Sequence, residues 1–168
     1  IWVVTNKRYQ KIVEEQLPEI DKGHILLEPC RRNTAPCIAY VSWRIKKTCP
    51  NANVIVTPSD HIVTNLQEFN RVVTSCLKFT EETDSILTLG IKPSRPETGY
   101  GYIQADLSYN SARNHEIFRV DSFREKPDLN TAKEYISKNN YFWNAGIFIW
   151  SIHTIVNAFS NCSCILNI

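Results

Sequence analysis

Ile25-Leu26-Leu27-Glu28-Pro29-Cys30-Arg31-Arg32-Asn33-Thr34-Ala35-Pro36-Cys37-Ile38-Ala39-Tyr40-Val41 is the stretch on which the fold turns. Three apolar residues run into a polar loop with two arginines, and the loop opens an apolar helix at Asn33 or Thr34. Thr34 suits an N-cap, and Pro36 falls in a first turn that needs no backbone donor. A helix start leaves N–H groups unpaired and carries partial positive charge, so this loop can hold an anion or a base edge. Taken alone, it reads better as a well-capped helix with solvated arginines.

The same strand-to-helix unit recurs on either side. Val3-Val4 leads through Asn6 to a helix carrying Ile12, Val13 and Leu17. Val54-Ile55-Val56 ends at Thr57-Pro58-Ser59-Asp60-His61. The helix beyond has Asn65 as its cap and Glu68 three residues on, a capping-box arrangement. Its apolar face is expected to carry Leu66, Phe69, Val72, Val73, Cys76 and Leu77. Residues 85–89 read as another buried strand. This alternation predicts an α/β fold, with a Rossmann-like, mostly parallel sheet and helices on both faces. Beyond Pro93 the rhythm changes. Residues 100–104 and 116–123 read as strands joined by a polar loop, Thr131 and Glu134 as the caps of a short helix, and residues 141–150 as an aromatic strand.

Composition narrows the class. The chain has 168 residues, 43% hydrophobic and 21% charged, which suits one globular domain. A net charge of +2, with Lys and Arg scattered, forms no nucleic-acid stripe. No apolar run nears the roughly 20 residues of a membrane span and no signal-peptide pattern opens the chain, so the cytoplasm is the expected location. The cysteines are Cys30, Cys37, Cys49, Cys76, Cys162 and Cys164. They make no Cys-x-x-Cys pair, nothing in their spacing points to zinc, and they are read as free thiols. There is no methionine, and the chain opens on a buried-strand pattern. The expectation is therefore that its native N-terminus is missing.

Ligands in open α/β sheets bind beyond the carboxyl ends of strands. Asp60 stands there after Val54-Ile55-Val56, and a hard carboxylate oxygen suits Mg²⁺ shared with substrate phosphates. A turn residue after Pro58 is the alternative for Asp60, and His61 reads as structural. In Pro96-Glu97-Thr98-Gly99-Tyr100-Gly101-Tyr102-Ile103 two glycines allow close approach of backbone to a ligand, or mark a bulged strand entry. Phe123-Arg124-Glu125-Lys126-Pro127 closes a strand with a point charge suited to phosphate and a carboxylate suited to sugar hydroxyls. Asn144, within Phe142-Trp143-Asn144-Ala145-Gly146-Ile147, is an amide inside an apolar strand and must find partners in backbone or ligand.

In this order and spacing, the segments Arg32-Asn33-Thr34-Ala35-Pro36, Pro58-Ser59-Asp60-His61, Thr98-Gly99-Tyr100-Gly101-Tyr102-Ile103, Glu125-Lys126-Pro127 and Trp143-Asn144-Ala145-Gly146 resemble the sugar-nucleotide pyrophosphorylases. Within that group they resemble the bacterial mannose-1-phosphate guanylyltransferase family. Glu-Lys-Pro alone identifies nothing; five segments in order carry the resemblance, and the Arg-Asn-Thr-Ala-Pro loop favours the guanylyl branch.

The resemblance implies a sheet of the nucleotide-diphospho-sugar transferase type over residues 1–160, with residues 161–168 a tail of unknown structure. It implies transfer of GMP from GTP to mannose 1-phosphate, giving GDP-mannose and pyrophosphate, with Mg²⁺ as cofactor. Asn33 and Thr34 would meet the guanine, with Arg32 nearby. Asp60 would hold Mg²⁺ against the triphosphate. Gly99 would contact the nucleotide sugar or mannose by its backbone, Glu125 and Asn144 would bind mannose hydroxyls, and Lys126 the sugar phosphate. The family's glycine-rich phosphate loop has no match here, so the first βα unit is expected to be absent. Its second metal-binding Asp has no match either, since neither Asp121 nor Asp128 fits. Other readings stay open: another hexose-1-phosphate nucleotidyltransferase, or a non-catalytic nucleotide-sugar-binding or assembly subunit. The resemblance calls for neither nucleic acid nor membrane, and leaves a homodimer open.

Overall fold

The computed structural model describes residues 1–28, 34–109 and 116–161. These fall into two compact units, one formed by the two ends of the chain and one by residues 53–151.

The first unit holds β1 (Val3–Thr5), α1 (Gln10–Gln16), β2 (Ile25–Leu27), α2 (Thr34–Thr48) and, from the far end of the chain, α5 (Ile152–Asn161). β1 and β2 pair in parallel, Val3 opposite Ile25 and Thr5 opposite Leu27, joined through α1 as a parallel pair requires. α2 buries Ile38, Val41 and Ile45 at helical spacing. α5 packs against α2 and buries Ile152, Ile155, Val156 and Phe159, with the rings of Trp43 and Phe159 6.1 Å apart. Where the chain returns, the Ile152 N–H donates to the Ala52 carbonyl at 2.8 Å.

The second unit holds β3 (Asn53–Val56), α3 (Leu66–Glu82), β4 (Leu87–Ile91), β5 (Tyr102–Asp106), β6 (Arg119–Arg124), α4 (Leu129–Ser137) and β7 (Tyr141–Ser151). β7 is the hub. β4 lies along one edge of it, while β3 and then β5 share the other; β6 pairs with β5. The α/β reading holds, but the parallel pairing expected from strand–helix alternation is altered by this strand. β3 and β4 do run parallel to each other, yet β7 lies between them and opposes both. Every ladder of the five-stranded sheet is therefore antiparallel.

Residues of β7 alternate between the faces as a strand requires. Tyr141 and Trp143 face α4 and share a core with Tyr102 and Ala132, and Tyr135 of α4 stacks on Tyr141 at 4.1 Å. α3 packs against β3 and β7, burying Val73, Cys76 and Thr80. Burial also raises the Cys76 thiol above its usual range. Cys37, Cys49 and Cys76 are free thiols; Cys30, Cys162 and Cys164 lie outside the described residues. Among the described residues no helix is long and apolar enough to cross a membrane.

Three local expectations change. Leu66 is 65% exposed rather than part of the packed face of α3. The Asn65 side chain does accept the Glu68 N–H at 3.0 Å, but Glu68 does not reach back. Its carboxylate is held by Arg71 one turn on, at 2.7 and 2.8 Å, and a charge-assisted fork outcompetes a single backbone N–H. Arg71 also grips Glu116 at 2.8 and 3.0 Å, tying α3 to the segment before β6. The cap of α4 is Asp128, accepting from the Asn130 and Thr131 amides, while the Thr131 hydroxyl only supports that carboxylate at 2.7 Å.

Candidate active site

The contacts that converge in the second unit lie where β5, β6 and β7 meet. Tyr102 of β5 faces Arg124 of β6 and Trp143 of β7, so the residues next in line, Gly101, Glu125 and Asn144, form one row across three chain segments. The Asn144 N–H donates to the Gly101 carbonyl at 2.8 Å. A Cβ on Gly101 would stand 3.3 and 3.5 Å from the two Glu125 carboxylate oxygens, so glycine lets that carboxylate lie close beside the backbone without shifting.

Asn144 is half-buried, and its Oδ1 accepts the Gly146 N–H at 3.0 Å and the Thr88 hydroxyl at 3.4 Å. A backbone N–H can only donate, which orients the amide. Its Nδ2 donors have no hydrogen-bond partner among the described residues. Gly146 takes φ +66°, a left-handed conformation that disfavours a Cβ, and a Cβ there would also meet Pro58 Cγ at 3.4 Å. That close approach puts the end of β3, and the turn leading to Asp60, beside β7.

Asp60 is an exposed carboxylate with no hydrogen-bond or ion-pair partner among the described residues. Among those residues there is no group of three or more His, Cys, Asp or Glu that could cage a metal. One free hard-oxygen ligand with open space fits Mg²⁺, which keeps water and takes phosphate oxygens.

Lys126 is exposed and sits at φ +34°. That is costly for a residue with a Cβ and doubly so ahead of Pro127. Gly99 is exposed, and its N–H donates to Glu97 Oε1 at 3.0 Å. Thr34 is the exposed first residue of α2 and belongs to the first unit; Arg32 and Asn33 lie outside the described residues. The structure thus sets Glu125 and Asn144 in one row with Gly101, two residues after Gly99, and brings the end of β3 beside β7.

Reading the residues singly missed Glu97, Arg95 and Tyr102, which hold that loop. The available signal was a carboxylate two residues before a glycine, a turn-making arrangement. A cavity of about 660 Å³ between α3 and strands β4 to β6, lined by Val72, Cys76, Phe79, Ile103 and Phe142, contains none of the site residues expected from the sequence.

The nucleotidyl transferase family matches residues 1–162, nearly the whole chain. This chain belongs to that family. It is 38% identical over 162 residues to a mannose-1-phosphate guanylyltransferase of Escherichia coli, an alignment covering 94% of this chain and 35% of that protein. It is 40% identical over 152 residues to a mannose-1-phosphate guanylyltransferase of Salmonella montevideo, covering 88% and 32%. Among solved structures it superimposes with a TM-score of 0.79 on a Thermus thermophilus protein described as a mannose-1-phosphate geranyltransferase. The identity there is 29%, over 94% of this chain and 44% of that one. This nucleotidyl transferase chain spans about a third of the length of the sequence relatives it matches.

Proposed function

We propose that the protein carrying this chain transfers GMP from GTP to mannose 1-phosphate, releasing pyrophosphate and GDP-mannose. The observation that carries the reading is the row of Gly101, Glu125 and Asn144, a narrow place with a free carboxylate and free amide donors. Such a place suits the hydroxyls of a sugar ring. The guanylyltransferases among the relatives support the choice of mannose and guanine.

The chemistry needs no protein nucleophile. A phosphate oxygen of mannose 1-phosphate attacks the α-phosphorus of GTP in line. A P–O bond forms as the bond to the β-phosphate bridge breaks, and pyrophosphate leaves with the electron pair. Positioning and charge neutralisation do most of the work in such a displacement. Glu125 accepts from mannose hydroxyls, and Asn144 donates to them through Nδ2. Lys126 sets a positive charge against the sugar phosphate, and the Gly99 backbone lets the sugar come close. By the family resemblance, Asn33 and Thr34 would meet the guanine, with Arg32 nearby. Asp60 would hold Mg²⁺, and the ion when bound would supply charge neutralisation to the phosphates.

Pyrophosphate release by the full-length protein, given GTP, mannose 1-phosphate and Mg²⁺, tests this directly. Asp60→Asn is expected to lower turnover at least ~100-fold, the scale of removing one electrostatic stabiliser. Near-normal turnover would leave Asp60 a turn residue. Turnover with a different nucleotide or hexose phosphate, and none with this pair, would move the assignment to another branch of the family.

A further inference from the structure

Glu97 is held at four points. Its N–H donates to Tyr102 Oη at 3.1 Å, and its carbonyl accepts from the same hydroxyl at 2.9 Å. Its Oε1 accepts the Gly99 N–H at 3.0 Å, and its Oε2 accepts from Arg95 Nε and Nη2 at 3.2 and 3.0 Å. Tyr102 is fully buried in the aromatic core beside α4, so its hydroxyl is a fixed post rather than a mobile one. The Arg95 guanidinium lies over the Trp143 ring at 5.5 Å, and Tyr100 stands edge-on to the same ring at 5.4 Å. Trp143 is the residue before Asn144. The loop of residues 95–101 is thereby tied to the strand that carries Asn144, and its last residue, Gly101, lies beside the Glu125 carboxylate.

The length of the Glu97 side chain matters. A turn closed onto the N–H two residues ahead is ordinarily made by the shorter Asp, Asn or Ser. The extra methylene lets one carboxylate reach both Gly99 and Arg95. The pair with Arg95 is partly exposed, Glu97 at 26% and Arg95 at 59%, and on its own adds little to stability. What it does is orient a carboxylate whose other oxygen holds the loop.

We propose that Glu97 is a positioning residue: with Arg95 and Tyr102 it sets where Gly99 and Gly101 stand against the sugar phosphate. The inference rests on the function proposed above and assigns a residue to which that function gave no part.

The test uses the full-length protein. Glu97→Ala is expected to raise the KM for mannose 1-phosphate by about tenfold or more, the scale of one charge-assisted hydrogen bond. The KM for GTP and the Tm should stay unchanged. Glu97→Gln, which keeps the Oε1 acceptor, should restore the KM to within about threefold. An unchanged sugar-phosphate KM in Glu97→Ala would overturn the proposal. So would a parallel loss in both KM values together with a lowered Tm, the pattern of a merely structural residue.

Amide exchange at Gly99 without substrate is the second arm. It should quicken about tenfold or more in Glu97→Ala, following the opening free energy of that bond. Exchange that does not change overturns the clasp whatever the substrate. A wild-type protein inactive with mannose 1-phosphate and GTP, but with exchange altered as described, would sink the functional assignment and leave the clasp standing.

Discussion

Lys126 occupies φ +34° immediately before a proline, where the ring of Pro127 pushes its neighbour toward extended backbone. Positive φ costs a residue with a Cβ roughly 1–2 kcal/mol, and such strain persists only where the surroundings over-determine it. Glycine escapes that cost, so Lys126→Gly is expected to leave the Tm of the full-length protein unchanged or raised. The same variant should raise the KM for mannose 1-phosphate roughly 10–100-fold, the range for losing a hydrogen bond to a charged group. A lowered Tm would show that the lysine conformation is not strained. At this scale the sequence made the segments legible but not their mutual placement. Asn144 stood out because an amide in an apolar strand needs partners. Gly146 supplies one locally, two residues on, but that Thr88 would supply another depends on the β4–β7 register, which no single segment shows. Glu97 was only half legible: its spacing to Gly99 is a local turn signal, but its bonds to Arg95 and to the hydroxyl of the buried Tyr102 leave no periodic trace.

Among the elements, α4 shows how a cap couples to pH. The Asp128 carboxyl is held below the usual aspartate range, mainly by the Thr131 N–H, then by the Thr131 hydroxyl and the Asn130 N–H. A depressed folded-state pKa contributes stability that is present above the unfolded value and lost as pH falls through the folded one. Asp128→Ala should therefore lower the Tm at neutral pH, with the gap to wild type closing as pH drops below the ordinary aspartate range. A gap that stayed constant with pH would mean the cap owes nothing to charge. Sequence reading placed a helix here but took Thr131 and Glu134 as its caps, because several residues could serve and only backbone geometry decides among them. The capping box at Asn65 was half legible for a similar reason. Its spacing is local, whereas the competitor for Glu68 is an arginine that also reaches Glu116, 45 residues along. Element types were read well throughout, since hydrophobic periodicity reports burial directly. Element neighbours were not, because alternation carries no information about a strand arriving late and entering between two earlier ones.

Across the whole molecule, the chain leaves its first unit after Ala52 and returns to it at Ile152, so that unit is completed only by α5. Phe159 is 8% exposed and lies against Trp43. Phe159→Ala is expected to cost about 3–5 kcal/mol of stability, the usual range for emptying a buried aromatic site. Urea unfolding of the full-length protein followed by tryptophan fluorescence would read it, and a loss well under about 1 kcal/mol would mean α5 is only loosely seated. The position of β7 has a further consequence during synthesis. Among the described residues β3 has no strand neighbour except β7, and neither has β4. The ribosome makes Val56 long before Tyr141, and at about 5–20 residues per second the wait lasts seconds. For that interval the nascent chain carries two strands with bare edges, open to chaperones, proteases and neighbouring chains. Emergence of Tyr141–Ser151 is the event that closes both edges at once.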